Sequence, residues 1–203
     1  MEYRILKLSE LSEAQAERAF ELFAEGFFFI FSPISKDKAK LRQLFMDSFD
    51  RQSVFVCLYE GEVAGFLAWG DHEKQPIRMR KETCLRLFGR LKGSAVYQLA
   101  GGMLSKPKVK NGGEGYLDYL TTDPAFRGRG VGTRLLRHMC AHLPYDSFFL
   151  EVLSKNENAI RLYQKLGFKK VKTKNDPFAM LVGYGRPILM RSTKKLLLQT
   201  AVS

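Results

Sequence analysis

Cysteine and histidine are scarce in this 203-residue chain, with three of each. Cys57, Cys84 and Cys140 are odd in number, far apart and form no C-x-x-C pair, which argues against a disulfide framework or a cysteine-based zinc site. They read as reduced, buried, apolar residues. His138 and His142 stand four apart on one expected helix without a nearby acid or third ligand, so a surface pair is favoured over a metal site. No apolar run approaches the roughly 18 residues that span a bilayer, and Met1-Glu2-Tyr3-Arg4 does not open an export signal. The expectation is a cytoplasmic protein with no membrane span and no metal. Repeats at solenoid spacing are also missing.

What is present is 45% hydrophobic and 27% charged, the balance of a globular protein, and one domain over 1–203 is expected. The formal net charge of +12 draws anions at long range. Its lysines and arginines are dispersed and accompany no nucleic-acid motif, which argues against a nucleic-acid partner.

Along the chain, residues 2–7 read as a first strand. Ser9 or Ser12 could cap a helix carrying Ala16, Ala19, Phe20, Phe23 and Ala24 at helical spacing and ending at Gly26. The aromatic run 27–31 reads as core or as the wall of a pocket, and a second helix is predicted over 36–49. Residues 53–59 and 63–69 form a hairpin around Glu60-Gly61-Glu62. A long insertion at about 70–115 follows, with helical spacing over 77–92, a short helix over 95–104 and a mobile lysine- and glycine-rich stretch over 105–115. Strands at 116–122, 147–152, 168–174 and 187–192 alternate with helices at 133–142 and 157–166. This predicts an α/β (mixed) fold, a central mixed sheet with helices on both faces.

The most informative stretch is Arg127-Gly128-Arg129-Gly130-Val131-Gly132, which leads from a strand into a helix. A helix start presents amides without intrahelical partners and a partial positive charge, and glycines let an anion approach the backbone. A dinucleotide fingerprint fails here because Thr133 replaces its third glycine and Asp123 to Arg127 intervene after the strand; a Walker loop fails because no lysine precedes Thr133.

The run from Leu120 to Gly132, followed by Asn156-Glu157-Asn158-Ala159-Ile160-Arg161-Leu162-Tyr163-Gln164-Lys165-Leu166-Gly167-Phe168, resembles the GNAT superfamily of N-acetyltransferases. The first block is similar to that family's R/Q-x-x-G-x-G/A loop and the second to its N-x-x-A-x-x-x-Y segment. The resemblance is close over 116–171.

It implies a GNAT-type sheet splayed between two parallel strands, with acetyl-CoA as cosubstrate and no metal. It further implies an acetyl-CoA-dependent N-acyltransferase that moves the acetyl group directly to a primary amine of a small molecule or peptide. Leu120 and Thr122 are implied to bind the pantetheine arm, with the Leu120 amide near the thioester oxygen. Gly128, Gly130, Val131, Gly132 and Thr133 are implied to offer amides to the pyrophosphate, with Arg127 and Arg129 nearby. Asn156 is a cofactor contact or a helix cap. Tyr163 is the candidate general acid, or a packing residue. Asp118 and Glu114 are the candidate bases; strand alternation puts Asp118 on the face of Leu120 and Thr122. A non-catalytic acyl-CoA-binding sensor and a basic nucleic-acid-binding protein are the alternatives, and the chain is expected to be a monomer or homodimer.

Overall fold

A computed structural model describes residues 2–176, 183 and 185–199. Seven strands make one sheet in the order β1-β2-β3-β4-β5-β7-β6. They are β1 (Tyr3–Lys7), β2 (Val54–Tyr59), β3 (Glu62–Gly70), β4 (Glu114–Thr122), β5 (Ser147–Leu153), β6 (Lys169–Thr173) and β7 (Pro187–Thr193). All neighbours are antiparallel except β4 and β5, so the sheet is mixed. The β2–β3 turn is tight because Glu60 (φ 50°) and Gly61 (φ 89°) both take left-handed conformations.

Helices cover both faces, which is why β2 and β3 are buried along nearly their whole length. Helices α1 (Glu13–Gly26), α2 (Phe28–Phe31), α3 (Lys38–Ser48), α4 (Lys81–Phe88) and α5 (Arg90–Leu104) enclose a first core. Phe23 is at its centre, with rings of Phe45, Phe49, Phe66 and Tyr119 at 4.9–5.2 Å. Helices α6 (Val131–His142), α7 (Glu157–Lys165) and α8 (Lys194–Gln199) enclose a second core around Leu67, Leu117, Leu135 and Phe148. All three cysteines are free and buried. Burial pushes the Cys57 thiol up to about 11 and the Cys140 thiol to about 12.

The first helix follows its sequence pattern. Ser12 and Gln15 form a reciprocal cap, and Ala16, Ala19, Phe20, Phe23 and Ala24 are buried. Gly26 closes the helix for a reason the pattern did not contain: a β-carbon there would lie 2.5 Å from Thr121 Oγ1. The end of α1 therefore packs directly on the end of β4. Of the aromatic run, Phe31 is buried in the first core and Phe27 packs on Tyr119 at 5.1 Å.

The insertion departs from expectation. Residues 77–80 are not helical: Ile77 bridges Phe49, and the Arg78 amide donates to Ser48 O. The helical stretch then splits at Gly89 (φ 78°) into α4 and α5. The stretch expected to be mobile is anchored, with Val109 buried and Gly113 O accepting from the Asp146 and Ser147 amides. Helix α8, whose Leu197 enters the second core, was not foreseen.

Candidate active site

Pairing between β4 and β5 stops at Leu117–Leu150, although β4 runs on to Thr122 and β5 to Leu153. The end of β4 stays on β3, with Leu120 opposite Leu67 and Thr122 opposite Gly65. The end of β5 stays on β7 through Leu153 opposite Pro187. A gap thus opens between two strands that each remain held on their other side.

A β-bulge accompanies the parting. Tyr119 faces Ala68 and Leu117 faces Trp69, leaving Asp118 as the extra residue. A bulge bends its strand and adds twist, which turns the end of β4 away from β5. It also breaks the alternation expected from sequence, and this is a correction. Leu117 and Leu120 both pack with the second core, whereas Tyr119 belongs to the first. Asp118 sides with Tyr116 and Tyr119, where Lys108 meets all three, and not with Leu120 and Thr122.

Leu120 and Thr122 instead approach the start of α6. A β-carbon on Gly132 would lie 3.3 Å from Leu162, 3.8 Å from Leu120 and 4.0 Å from Thr122 Oγ1. Before α6, Asp123 caps a 3₁₀ turn over Pro124–Phe126 and is tied to α1 by a 2.6 Å ion pair with Arg18. The Arg127 and Arg129 amides donate to Pro124 O and Phe126 O, and the first amide to donate into the helix is that of Arg134, to Gly130 O. Among the described residues, the amides of Gly128, Gly130, Val131, Gly132 and Thr133 have no backbone acceptor.

Gly128 (φ 75°) and Gly130 (φ 76°) are left-handed, and a β-carbon on either would meet nothing within 4 Å. The backbone demands glycine, and the space before the amides stays clear. Amides left without a backbone acceptor at a helix N-terminus form a seat for an anion. Arg127 is exposed at its mouth. Arg129 turns aside, its guanidinium 5.5 Å from the Phe126 ring and 5.9 Å from that of Tyr59. That contact holds the loop against the β2–β3 hairpin.

Tyr163 is buried beneath α7, 5.8 Å from Phe168, and burial raises its phenol above the usual tyrosine range. Burial raises the Tyr116 phenol as well, and Glu151, Asp118, Tyr119 and Tyr163 add to that shift. Asn156 is the N-cap of α7, its Oδ1 accepting from the Ala159 amide at 3.2 Å. The two candidate bases are far apart. Glu114 starts β4 and accepts from Asn111 Nδ2 at 3.1 Å, with about 20 Å of strand between it and Leu120. Asp118 sits at the parting, its side chain only 3% exposed. Burial raises its carboxyl, and the Lys108 ammonium opposes that shift.

Lys108 is the site residue that sequence reasoning missed, because it sits in a stretch with no helical or strand period. Glu151, just past the last β4–β5 pair, is bonded to Lys174. Among the described residues no group of three histidine, cysteine or acidic side chains could hold a metal, and no helix is long and apolar enough to cross a membrane. A cleft of about 730 Å³ opens elsewhere, between the end of α3, residues 73–82 and Tyr97.

Comparison with known proteins agrees with this geometry. The profile of the Acetyltransferase (GNAT) family matches residues 16–168. The chain is 30% identical over 101 residues to glucosamine 6-phosphate N-acetyltransferase of Trypanosoma brucei brucei, covering 49% of this chain and 65% of that protein. It is 31% identical over 123 residues to spermine/spermidine N(1)-acetyltransferase of Bacillus subtilis, covering 58% and 70%. A match to an uncharacterized Mycobacterium leprae protein, ML0378, covers 14% of that protein, so the chain spans less than two thirds of the first curated relatives it matches.

Among solved structures, an N-acetyltransferase from Staphylococcus aureus Mu50 aligns with TM-score 0.60 at 18% identity over 93% of this chain and all of that one. Arabidopsis thaliana Naa50, in complex with a bisubstrate CoA analogue, aligns at 0.51 and 15% identity over 95% and 99%. At such identities the likeness speaks for the fold. The chain belongs to the GNAT family of acetyltransferases.

Proposed function

We propose that the protein is an acetyl-CoA-dependent N-acetyltransferase that moves the acetyl group directly to a primary amine. The observation that carries this reading is the parting of β4 and β5 beside five amides that have no backbone acceptor. Sequence relatives are named for acetylating an amino sugar phosphate, a protein α-amine and a polyamine, all of them amines.

In this reading the amides of Gly128, Gly130, Val131, Gly132 and Thr133 receive the diphosphate, with Arg127 adding charge. The unpaired edge of Leu120 and Thr122 receives the pantetheine arm. A preorganised main-chain donor such as the Leu120 amide, aimed at the oxygen that gains charge, is worth about 3 kcal/mol. Asp118 is the base: it is the carboxylate that stands at the parting of β4 and β5, and burial raises its carboxyl above the ordinary aspartate value. Glu114 is set aside by its distance along the strand. Tyr163 is the acid. Burial keeps its proton in place but makes it a weaker donor, and it can act because a thiolate leaving in the same dry cleft is destabilised as well. Arg129 and Asn156 serve as anchors of the loop and of α7.

The test is purified protein with acetyl-CoA and a panel of amines, followed by released thiol. Thiol release dependent on both reactants is expected. Tight acetyl-CoA binding with no thiol from any amine would favour the non-catalytic sensor.

A further inference from the structure

Lys108 occupies a seat built for a cation. Its Nζ is ion-paired with the Asp118 carboxylate and stands 5.0 Å over the Tyr116 ring and 5.7 Å over the Tyr119 ring. An ammonium against two aromatic faces and one carboxylate combines cation–π attraction with a charge-assisted hydrogen bond. The carboxylate is 3% exposed while Lys108 is 31% exposed, so the seat is closed and its occupant comes from the surface side. Val109, buried beside it, pins the strap that delivers Lys108. Among the described residues Lys108 is the cation ion-paired with Asp118. Withdrawing it leaves a buried charge, which is costly unless another cation enters.

The seat also stands where an acceptor is needed. Asp118 is the first residue of β4 beyond the last β4–β5 pair and two residues before Leu120, about 7 Å along the strand.

We propose that Asp118, Tyr116 and Tyr119 form the acceptor subsite, that Lys108 fills it as a built-in occupant, and that the acceptors which displace Lys108 are primary alkylammonium groups on slender methylene chains. This rests on the acetyltransferase reading for the acyl donor. The chemistry is shared by lysine side chains and by linear polyamines. On arrival the ammonium gives one proton to the Asp118 carboxylate. The freed amine lone pair forms the C–N bond to the thioester carbonyl, the C–S bond breaks, and the departing thiolate takes the Tyr163 proton. The nitrogen's second proton passes to the Tyr163 phenolate through water, and Asp118 releases its proton to water, so one proton is released per turnover. The product amide is neutral and cannot balance Asp118, so Lys108 returns as it leaves.

The experiment compares wild type with Lys108→Met and Lys108→Gln; the glutamine keeps a donor for Asp118 if the methionine variant fails to fold. Initial rates of thiol release are measured with acetyl-CoA and four acceptors: spermidine, an N-terminally blocked lysine peptide, an alanine-leading peptide lacking lysine, and glucosamine 6-phosphate. Removing an internal competitor that fills the seat about nine-tenths of the time lowers apparent KM about tenfold for spermidine or for the lysine peptide, with far less change in kcat. The arm with the greater gain identifies the source. Adding Asp118→Asn should erase the gain in spermidine affinity, read by calorimetry because Asp118 also serves the chemical step. An unchanged KM in folded Lys108 variants overturns the proposal, as does a best acceptor of the α-amine or amino sugar kind. Should acetyl-CoA bind while no amine releases thiol, the catalytic reading fails separately, and spermidine binding by calorimetry judges the seat: tighter to Lys108→Gln than to wild type supports it, and equal affinity overturns it.

Discussion

Gly130 holds φ at 76° and caps α6 with open space before its amide, so a side chain there would enter the anion seat and strain the backbone together. Gly130→Glu is expected to abolish acetyl-CoA binding, measured by calorimetry, while the melting temperature shows that the fold survives. Retained affinity would place the diphosphate elsewhere. Tyr163→Phe is expected to lower kcat about 10²-fold or more with little change in acetyl-CoA affinity. The sign of its pH effect follows from burial. A phenol whose pKa is raised in the folded chain keeps its proton through the ordinary tyrosine range, so kcat should show no alkaline loss from Tyr163 below about pH 10. A limb near pH 9 that vanishes in Tyr163→Phe would contradict this. The amides, the glycines and Tyr163 were all legible in sequence because each sits inside a short run whose chemistry is local. The Lys108–Asp118 pair was not, since ten residues of irregular chain separate its members and no periodicity links them.

At the scale of elements, the contact between α1 and β4 sets one side of the cleft. Gly26→Val would press a branched side chain into Thr121, whose Oγ1 lies 2.5 Å from the β-carbon position. It is expected to destabilise by about 1–3 kcal/mol, seen in denaturant midpoints, and to lower activity by shifting the end of β4. A midpoint equal to wild type would show that the helix end is free to move. The insertion shows how an element misleads when read by period alone. Its apolar spacing runs through Gly89 because one glycine costs a helix only about 1 kcal/mol. The break appears because α5 folds back on α4 so closely that a β-carbon on Gly93 would stand 2.4 Å from Cys84 O. The β-bulge at Asp118 is a further case. Strand alternation was sound up to Leu117, and the extra residue then moved Asp118 to the other side from Leu120.

Across the whole molecule, the sheet separates one core under α1 and α3 from a second under α6. Phe23 touches rings from α2, α3, β3 and β4, so Phe23→Ala is expected to cost about 3–5 kcal/mol and to loosen the acceptor side through Tyr119. On the outside of α5, Leu99 is 72% and Met103 73% exposed. Leu99→Lys should move stability by no more than about 0.5 kcal/mol, and a larger loss would mean that the face is covered in solution. The sequence by itself determined the alternation of strands and helices, the glycine loop ahead of α6 and the family that loop belongs to, because each depends on neighbours within a turn or two. Tertiary structure decided where β4 and β5 part, which carboxylate stands at the parting and which lysine pairs with it. Those outcomes depend on register between strands distant in the chain and on one added residue in β4, and a local pattern carries no information about either.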